Sequence, residues 1–306
     1  MPSDPDGRDV ELTVLVVTHN HAPFIEQALD SVLAQDTDRP IEIIISEDAS
    51  TDATREIVTA FAAREPRARL LLSRHNLRSN EVVARGIRSA RGRYLCLLDG
   101  DDYWTSPWKL EKQAALLDAH PGTTAWFHNA VVCRPDGELH QRWTPSSQPG
   151  VLTSSTIWHG NPFATCAGMI RSSALRGLGA WYDDFFPMTD WPLYVLCAEH
   201  GEVRFDDEVV GAYRLHEGGL VSALPGRAKL EMIARFYRRM DQALAFRQHD
   251  LARAGASRFF FDWAEVHRAA GDRETARFCL AQSLRSKGVG LSVGWRAWAR
   301  CAWGLR

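Results

Sequence analysis

The sequence predicts an α/β fold, a mixed and mostly parallel sheet flanked by helices, with an α-helical extension on its C-terminal side. Three observations carry this expectation. Apolar, β-branched runs alternate with segments of helical periodicity from Leu12 onward. One such run, Tyr94 to Leu98, ends abruptly in the carboxylates Asp99, Asp101 and Asp102, and the ligand loops of parallel sheets lie at that end of their strands. From about Leu230 the strand-like runs stop and only helical stripes remain. The expected division is a domain over residues 1–225, with halves at about 10–104 and 105–225, and a helical region over 226–306.

Taken in order, Leu12 to Thr18 suits a central strand, and Phe24, Ile25, Ala28, Leu29, Val32 and Leu33 follow at helical spacing. Ile41 to Ser46 repeats the strand, and Ile57, Val58 and Phe61 the helix, with Ser50, Thr51 and Asp52 as capping candidates. Leu70 to Ser73 opens a third unit, with a helix around Val83 and Ile87 that Gly92 is expected to close. After Tyr94 to Leu98 comes a helix with Leu110, Leu116 and Leu117. Ala125 to Cys133 and an Asp136-Gly137 turn then suggest a more antiparallel half. Pro145 to Thr165, rich in Ser, Thr, Pro and Gly, is a candidate lining for an acceptor pocket. Asp190 precedes a helix with Trp191, Leu193, Tyr194, Leu196 and Cys197, and Val209 to Tyr213 is a strand that empties into Arg214-Leu215-His216-Glu217-Gly218-Gly219.

The helical region begins with the stripe Leu230, Ile233, Phe236, Tyr237, Met240 and Leu244. Phe259, Phe260, Trp263 and Val266 mark a second helix, and Ala276, Cys279, Leu280 and Leu284 a third. Trp263 to Leu284, turning at Gly271-Asp272, resembles a single tetratricopeptide-like hairpin. The tail from Lys287 to Arg306 is basic and carries Trp295, Trp298 and Trp303. Such a helix can lie on an anionic membrane or pack its tryptophans on the protein's own body, and the sequence leaves both open.

A chain of 306 residues with 45% hydrophobic content can bury a substantial core, and a formal net charge of -2 gives no sign of a general nucleic-acid binder. The six cysteines, Cys96, Cys133, Cys166, Cys197, Cys279 and Cys301, lie far apart, which suggests buried free thiols rather than a zinc site or a disulfide framework. Met1 to Val10 is polar and acidic without the regions of a signal peptide, and no apolar run is long enough to span a bilayer, so the expectation is a cytoplasmic protein.

The loops expected at one sheet edge are rich in acids and hydrogen-bonding groups: Thr18-His19-Asn20-His21, Glu47 to Asp52, and Asp99 to Asp102. A solvated turn would explain an Asp-Gly-Asp-Asp cluster on its own. An EF-hand loop counted from Asp99 would need Glu where Leu110 stands, which removes that reading. Neither Gly-x-Gly-x-x-Gly nor Gly-x-x-x-x-Gly-Lys occurs, so a hard cation such as Mg²⁺ or Mn²⁺ is expected to supply a phosphate's countercharge. Asp190 alone reads as an N-cap. His216, after a strand end, is a candidate metal ligand, and Arg214 is a cation in the same loop.

In this order the motifs Val17-Thr18-His19-Asn20, Glu47-Asp48-Ala49-Ser50-Thr51-Asp52, Leu98 to Trp104, Asp190-Trp191 and Tyr213 to Gly219 are similar to those of the family 2 glycosyltransferases, from Leu12 to about Ser222. These are inverting enzymes of the GT-A (Rossmann-like) fold that use nucleotide-diphosphate sugars. The resemblance implies a nucleotide site of Thr18, His19, Asn20, Glu47, Asp48 and Asp101, in which Asp48 accepts from the base, His19 stands where a Tyr often packs, and Asp101 orients the ribose or sugar. It implies Asp102 as direct ligand of Mg²⁺ or Mn²⁺, His216 near metal and diphosphate, and Asp190 as catalytic base. A UDP- or dTDP-type donor and a glycan, lipid-linked or small-molecule acceptor follow, with peripheral membrane or protein contact through the C-terminal helices as an open expectation. Glu47, Ala49 and Thr189 depart from the usual Asp, Gly and acid.

Three other readings stand beside this one. A non-catalytic sugar-nucleotide or glycan-binding module would not need Asp102, Asp190 and His216 together. A nucleotidyltransferase would carry a Gly- and Lys-rich loop where Thr18-His19-Asn20 stands. A glycoside hydrolase would use two carboxylates across a cleft and ignore free nucleotide.

Overall fold

The computed structural model describes residues 10–134, 136, 138–144, 150–221, 224–286 and 293–304. In chain order the elements begin β1 (Leu12–Thr18), α1 (Ile25–Leu33), β2 (Ile41–Glu47), α2 (Thr54–Arg64), β3 (Ala68–Leu72), α3 (Glu81–Ser89) and β4 (Tyr94–Asp99). They continue with β5 (Tyr103–Trp104), α4 (Lys109–Ala119), β6 (Thr123–Cys133), β7 (Leu139–Arg142), β8 (Gly150–Leu152) and α5 (Ser154–His159). Next come β9 (Gly168–Arg171), α6 (Trp191–His200) and β10 (Glu202–Arg214). The last are α7 (Gly226–Ala243), α8 (His249–Ala269), α9 (Arg273–Arg285) and α10 (Trp295–Trp303). Two units form: one of Met1–Leu152 with Pro162–Ser222, the other of Thr153–Asn161 with Ala223–Arg306. Helix α5 belongs to the second unit with α7 to α10.

The first unit is a single sheet in the order β3-β2-β1-β4-β9-β6-β10-β5, with β7 beside β6 and β8 beside β10. Pairs among β1 to β4 are parallel, while β9 runs antiparallel to both β4 and β6. Parallel strands covered on both faces need apolar residues on both, and β1 supplies them from Val14 to Val17. Val14 and Val16 meet Ile25, Ala28, Leu29 and Val32 of α1, all buried, in one continuous core. Leu15 points the other way, and a Cβ on Gly86 of α3 would come within 2.4 Å of its Cδ1. Each such Ile, Leu or Val taken from water contributes about 1.5–3 kcal/mol.

Three local expectations differ from what forms. Gly92 does not close α3, which ends at Ser89 with Ala90 as cap. It is small because a Cβ there would lie 2.5 Å from the Thr13 backbone nitrogen. Ser50 and Thr51 do not cap α2 either: Asn20 N–H donates to Ser50 Oγ at 3.0 Å, and Thr51 N–H to Asn20 Oδ1 at 2.7 Å. Asp52 accepts from Thr54 N–H and Ala22 N–H, both at 3.0 Å, so these side chains tie the loop after β2 to the loop after β1. The strand expected over Val209 to Tyr213 starts earlier, at Glu202, because Val203 to Phe205 pair with β6 and β8. Of the Asp136-Gly137 turn, Gly137 lies outside the described residues, as do 145–149 of the Pro145 to Thr165 stretch.

The strand order also requires the sheet to curl. Only Gly100–Asp102 separate β4 from β5, which stands four strands away along the order. A flat sheet would put them about 19 Å apart, whereas the connector reaches about 14 Å at most. The register of β10 against β6 shifts between Asp206 and Val209 and between Val209 and Gly211, the kind of irregularity that bends a strand. Beneath β4, Lys109 is wholly buried. Its Nζ donates to Gln113 Oε1 at 2.8 Å and Gly168 O at 3.1 Å and lies 4.4 Å from the centre of the Trp104 ring.

In the helical unit, Trp158 of α5 is fully buried beside Phe236 and Tyr237 of α7, whose hydroxyl donates to Trp158 O at 2.7 Å. Gly255 lets α8 approach, since a Cβ there would lie 2.3 Å from Trp158 O. Helices α8 and α9 form a hairpin that turns at Gly271 (φ +79°), with Asp272 capping α9 through Thr275 N–H at 3.1 Å. In the expected tail, α10 meets α8 and α9 and buries Cys301, while 287–292 and 305–306 lie outside the described residues. The corner between α7 and α8 holds Ala245 (φ +50°) and Phe246 (φ +60°) in left-handed backbone, with the Phe246 side chain 57% exposed. All six cysteines are free and buried. Among the described residues no helix is long and apolar enough to cross a membrane.

Candidate active site

Because β1, β2, β3 and β4 are parallel neighbours, their following loops share one edge. Asp48 N–H donates to Thr18 O at 3.0 Å, and Gly100 N–H to Val17 O at 2.8 Å, which joins the loops after β1, β2 and β4. Gly100 is the close approach: a Cβ there would meet Thr18 Oγ1 at 2.7 Å and His21 Nδ1 at 2.9 Å.

One hydrogen-bonded group centres on Asp48. Its carboxylate is nearly buried and accepts Leu77 N–H at 3.0 and 3.1 Å. His19 Nδ1 donates to Asp48 O at 2.8 Å, so its Nε2 accepts from Asn76 Nδ2 at 2.9 Å. Asn76 and Leu77, in the loop after β3, were not singled out by the sequence. Their only signal is that this loop too lies at the C-terminal end of a parallel strand.

Glu47, expected in the nucleotide site, turns away from this group. It is fully buried, ion-paired to Arg55, and accepts Ser50 N–H, which holds its carboxyl below the usual range although burial opposes that. Asn20 (φ +56°) spends its side chain on Thr51, and Thr18 is buried against His21. These three shape the loops.

The second cluster gathers on Asp101. His216 Nε2 lies 2.9 Å and His21 Nε2 3.6 Å from Asp101 Oδ2. Ligand atoms of His21, Asp101 and His216 all fall within 4.8 Å of one another. Burial alone would raise the Asp101 carboxyl, but His21 and His216 outweigh it and hold it below its ordinary value. His21 is itself lowered, chiefly by burial, so its neutral ring has a lone pair to offer. His21 stands in the motif Thr18-His19-Asn20-His21 without having been assigned a role.

Asp102 occupies a different place from the one the resemblance implies. It is 1% exposed, its Oδ1 accepts Arg214 N–H at 2.9 Å, and its Oδ2 is buried with no partner among the described residues. Burial, then Asp101 and Asp99, raises it well above the carboxylate range. Asp99 is pushed up to about 8 by burial and by the charges of Asp101 and Asp190. The convergent ligand atoms therefore belong to Asp101 rather than Asp102, and one imidazole-rich set with a carboxylate suits a divalent ion. Arg214 is buried, with its guanidinium between the Phe24 and Tyr103 rings at 4.7 and 5.2 Å, and donates to Asp101 O at 2.8 Å and Gln27 Oε1 at 2.6 Å. It braces the cluster.

Asp190 does cap α6, accepting Trp191 N–H at 2.7 Å. Its charge is also felt at Asp99, Tyr182, Tyr194 and Tyr213, which puts it beside the acidic cluster. Buried Asn80 fixes the approach to it, donating to Tyr182 O at 3.0 Å and Met188 O at 2.9 Å.

With this fold and these loops, the chain belongs to glycosyl transferase family 2, whose family model matches residues 13–178. Its architecture is the GT-A fold expected from the motifs. The uncharacterized protein Rv1520 of Mycobacterium tuberculosis is 36% identical over 214 residues, 68% of this chain and 60% of that protein. The chain thus spans about 60% of the length of the curated relative it matches. Staphylococcus aureus TarS 1-349 in complex with UDP-GlcNAc shares the fold with a TM-score of 0.59 at 16% identity, over 90% of this chain and 89% of that one. The mannosyltransferase PcManGT of Pyrobaculum calidifontis, in complex with GDP-Man and Mn2+, gives 0.57 at 19% identity over 96% and 79%.

Proposed function

We propose that the protein is a metal-dependent, inverting glycosyltransferase that moves a hexose-type sugar from a nucleotide-diphosphate donor to an acceptor hydroxyl. The observation that carries this reading is the convergence of His21 and His216 on the Asp101 carboxylate beside Asp99 and Asp190. In this role Asp101, His216 and His21 would hold the ion, and Asp102 anchors the end of β10. A bound Mg²⁺ or Mn²⁺ would supply positive charge to the diphosphate as it leaves. The imidazole donors favour Mn²⁺ over Mg²⁺.

Asp48 accepts a hydrogen bond from the base, and His19 packs against it. Asp190 takes the proton of the acceptor hydroxyl while that oxygen attacks the anomeric carbon. The bond from the sugar to the diphosphate breaks on the opposite face, and its electron pair departs with the nucleotide. The UDP-GlcNAc complex of TarS supports a uridine donor, with dTDP the near alternative, and the GDP-Man complex of PcManGT keeps guanosine in the test. The acceptor is a glycan, a lipid-linked sugar or a small molecule.

A thermal-stability panel with UDP, dTDP, GDP and CDP, each with and without Mn²⁺, tests the reading. A ligand at about 100 times its dissociation constant adds about 2.7 kcal/mol, several degrees in midpoint. One nucleotide stabilising only with metal is expected, and no response to any would overturn it. A non-catalytic module of this fold would bind the donor and form no product with any acceptor.

A further inference from the structure

The formal charge of -2 hides a division. Thr153–Asn161 with Ala223–Arg306 contain 16 Lys and Arg against 7 Asp and Glu, a net of +9 by subtraction. The rest of the chain has 20 against 31, a net of -11. Opposite charge on two parts of one chain points to a polyanionic surface as partner of the basic part.

Within the helical unit the excess is concentrated. Arg235, Arg238 and Arg239 are exposed at i, i+3 and i+4 on α7, opposite the buried Phe236, Tyr237 and Met240. Arg247 is exposed just beyond the corner. From Met232 to His249 the sequence has one acid, Asp241, and it is buried and bound to His249 Nδ1 at 2.7 Å. Between these arginines stands Phe246, 57% exposed on left-handed backbone (φ +60°) that a bulky residue seldom adopts. A phosphate backbone would engage the arginines and leave the phenyl ring in water. A bilayer engages both, the guanidinium groups with lipid phosphates and the ring with the acyl boundary.

We propose that the arginine face of α7 and the Phe246 corner hold the protein on an anionic phospholipid surface. This stands apart from the glycosyl-transfer reading, because it uses no residue of the β1 to β4 loops. It also moves the membrane contact away from the tryptophan tail, where α10 packs on α8 and α9.

The test is sedimentation of the full chain with phosphatidylcholine vesicles, with and without phosphatidylglycerol, at low and high salt. Binding is expected only with the anionic lipid and should weaken as salt rises. Each basic residue at such a surface is worth about fivefold in partition. Arg235→Glu with Arg238→Glu should therefore lower partition by at least about 25-fold. Phe246→Ser should lower it severalfold at unchanged salt dependence. If the double reversal shifts the thermal midpoint, Arg235→Gln with Arg238→Gln is read instead. Wild-type partition in the charge variant, equal binding to neutral vesicles, or retention of duplex DNA without retention of vesicles would each overturn the proposal.

Discussion

At the N-terminal ends of the parallel strands, Arg39 is ion-paired to Glu11, to Glu111 at 3.1 Å and to Asp118 at 2.9 Å. There Asp118 also takes Arg93 at 2.7 Å, and Glu42 takes Arg91 at 2.9 Å and Arg69 at 3.5 Å. At the C-terminal ends of the same strands, Asp101 is met by two imidazoles and Asp102 by a backbone N–H. The nearby guanidinium of Arg214 is spent on a carbonyl and an amide. Arginine is charged at any working pH and would fill a carboxylate permanently. Histidine can give its lone pair to an ion, so one edge is closed by its own counter-charges, while at the other, where Arg55 closes Glu47, Asp101 is left able to take a foreign one.

Asp101→Asn should break the contrast most. It should remove the Mn²⁺-dependent nucleotide shift and leave no measurable product, whereas an unchanged titration with Mn²⁺ would place the ion elsewhere. Asp190→Asn should keep donor binding and lower turnover by about 10²–10⁴-fold. Wild-type turnover with bound donor would sink the base assignment.

The opposite edge should answer in stability. Glu42 is buried, and although burial opposes it, Arg91 N–H, Thr13 Oγ1 and the Arg91 guanidinium hold its carboxyl below the usual value. A carboxylate lowered in the folded state stabilises above its unfolded pKa of about 4.3 and loses that contribution as pH falls through the folded value. Glu42→Gln should cost about 2 kcal/mol near neutral pH, and its melting curve should depend less on acid than the wild type's. Nucleotide binding should not change. The smallest effect falls at the C-terminal edge: Ala49, in the loop after β2, sits at φ +55°, and Ala49→Gly should raise stability by about 1 kcal/mol.

Strands β1, β2 and β4 were legible because each is a continuous apolar run, which only a doubly covered parallel strand requires. Asp48, Asp101 and Asp190 were legible as motif positions, and their spacing told which loops would meet. What the sequence did not carry was direction. Glu47 and Asp48 are neighbours, yet strand alternation sends one into Arg55 and the other toward Leu77. Asp101 and Asp102, in the connector after β4, also part, one toward His216 and the other under Arg214. Asn76 and His21 were missed because a lone Asn or His carries no pattern until the loops around it are folded. The early start of β10 was missed because Asp206, Asp207 and Glu208 interrupt its apolar run where its register shifts.

The connector Gly100–Asp102, too short to cross a flat sheet, has a consequence for synthesis. While the ribosome has released only the first hundred or so residues, β1 to β4 can pair, and the Asp48 group can form with Leu77 already present. Asp101 has no His216 until 115 more residues have emerged, and Gln27 waits across 187 for Arg214. A nascent or truncated chain thus carries the three aspartates without the His216 imidazole and the Arg214 brace, and on the proposed reading its nucleotide loops would be in place well before its ion site.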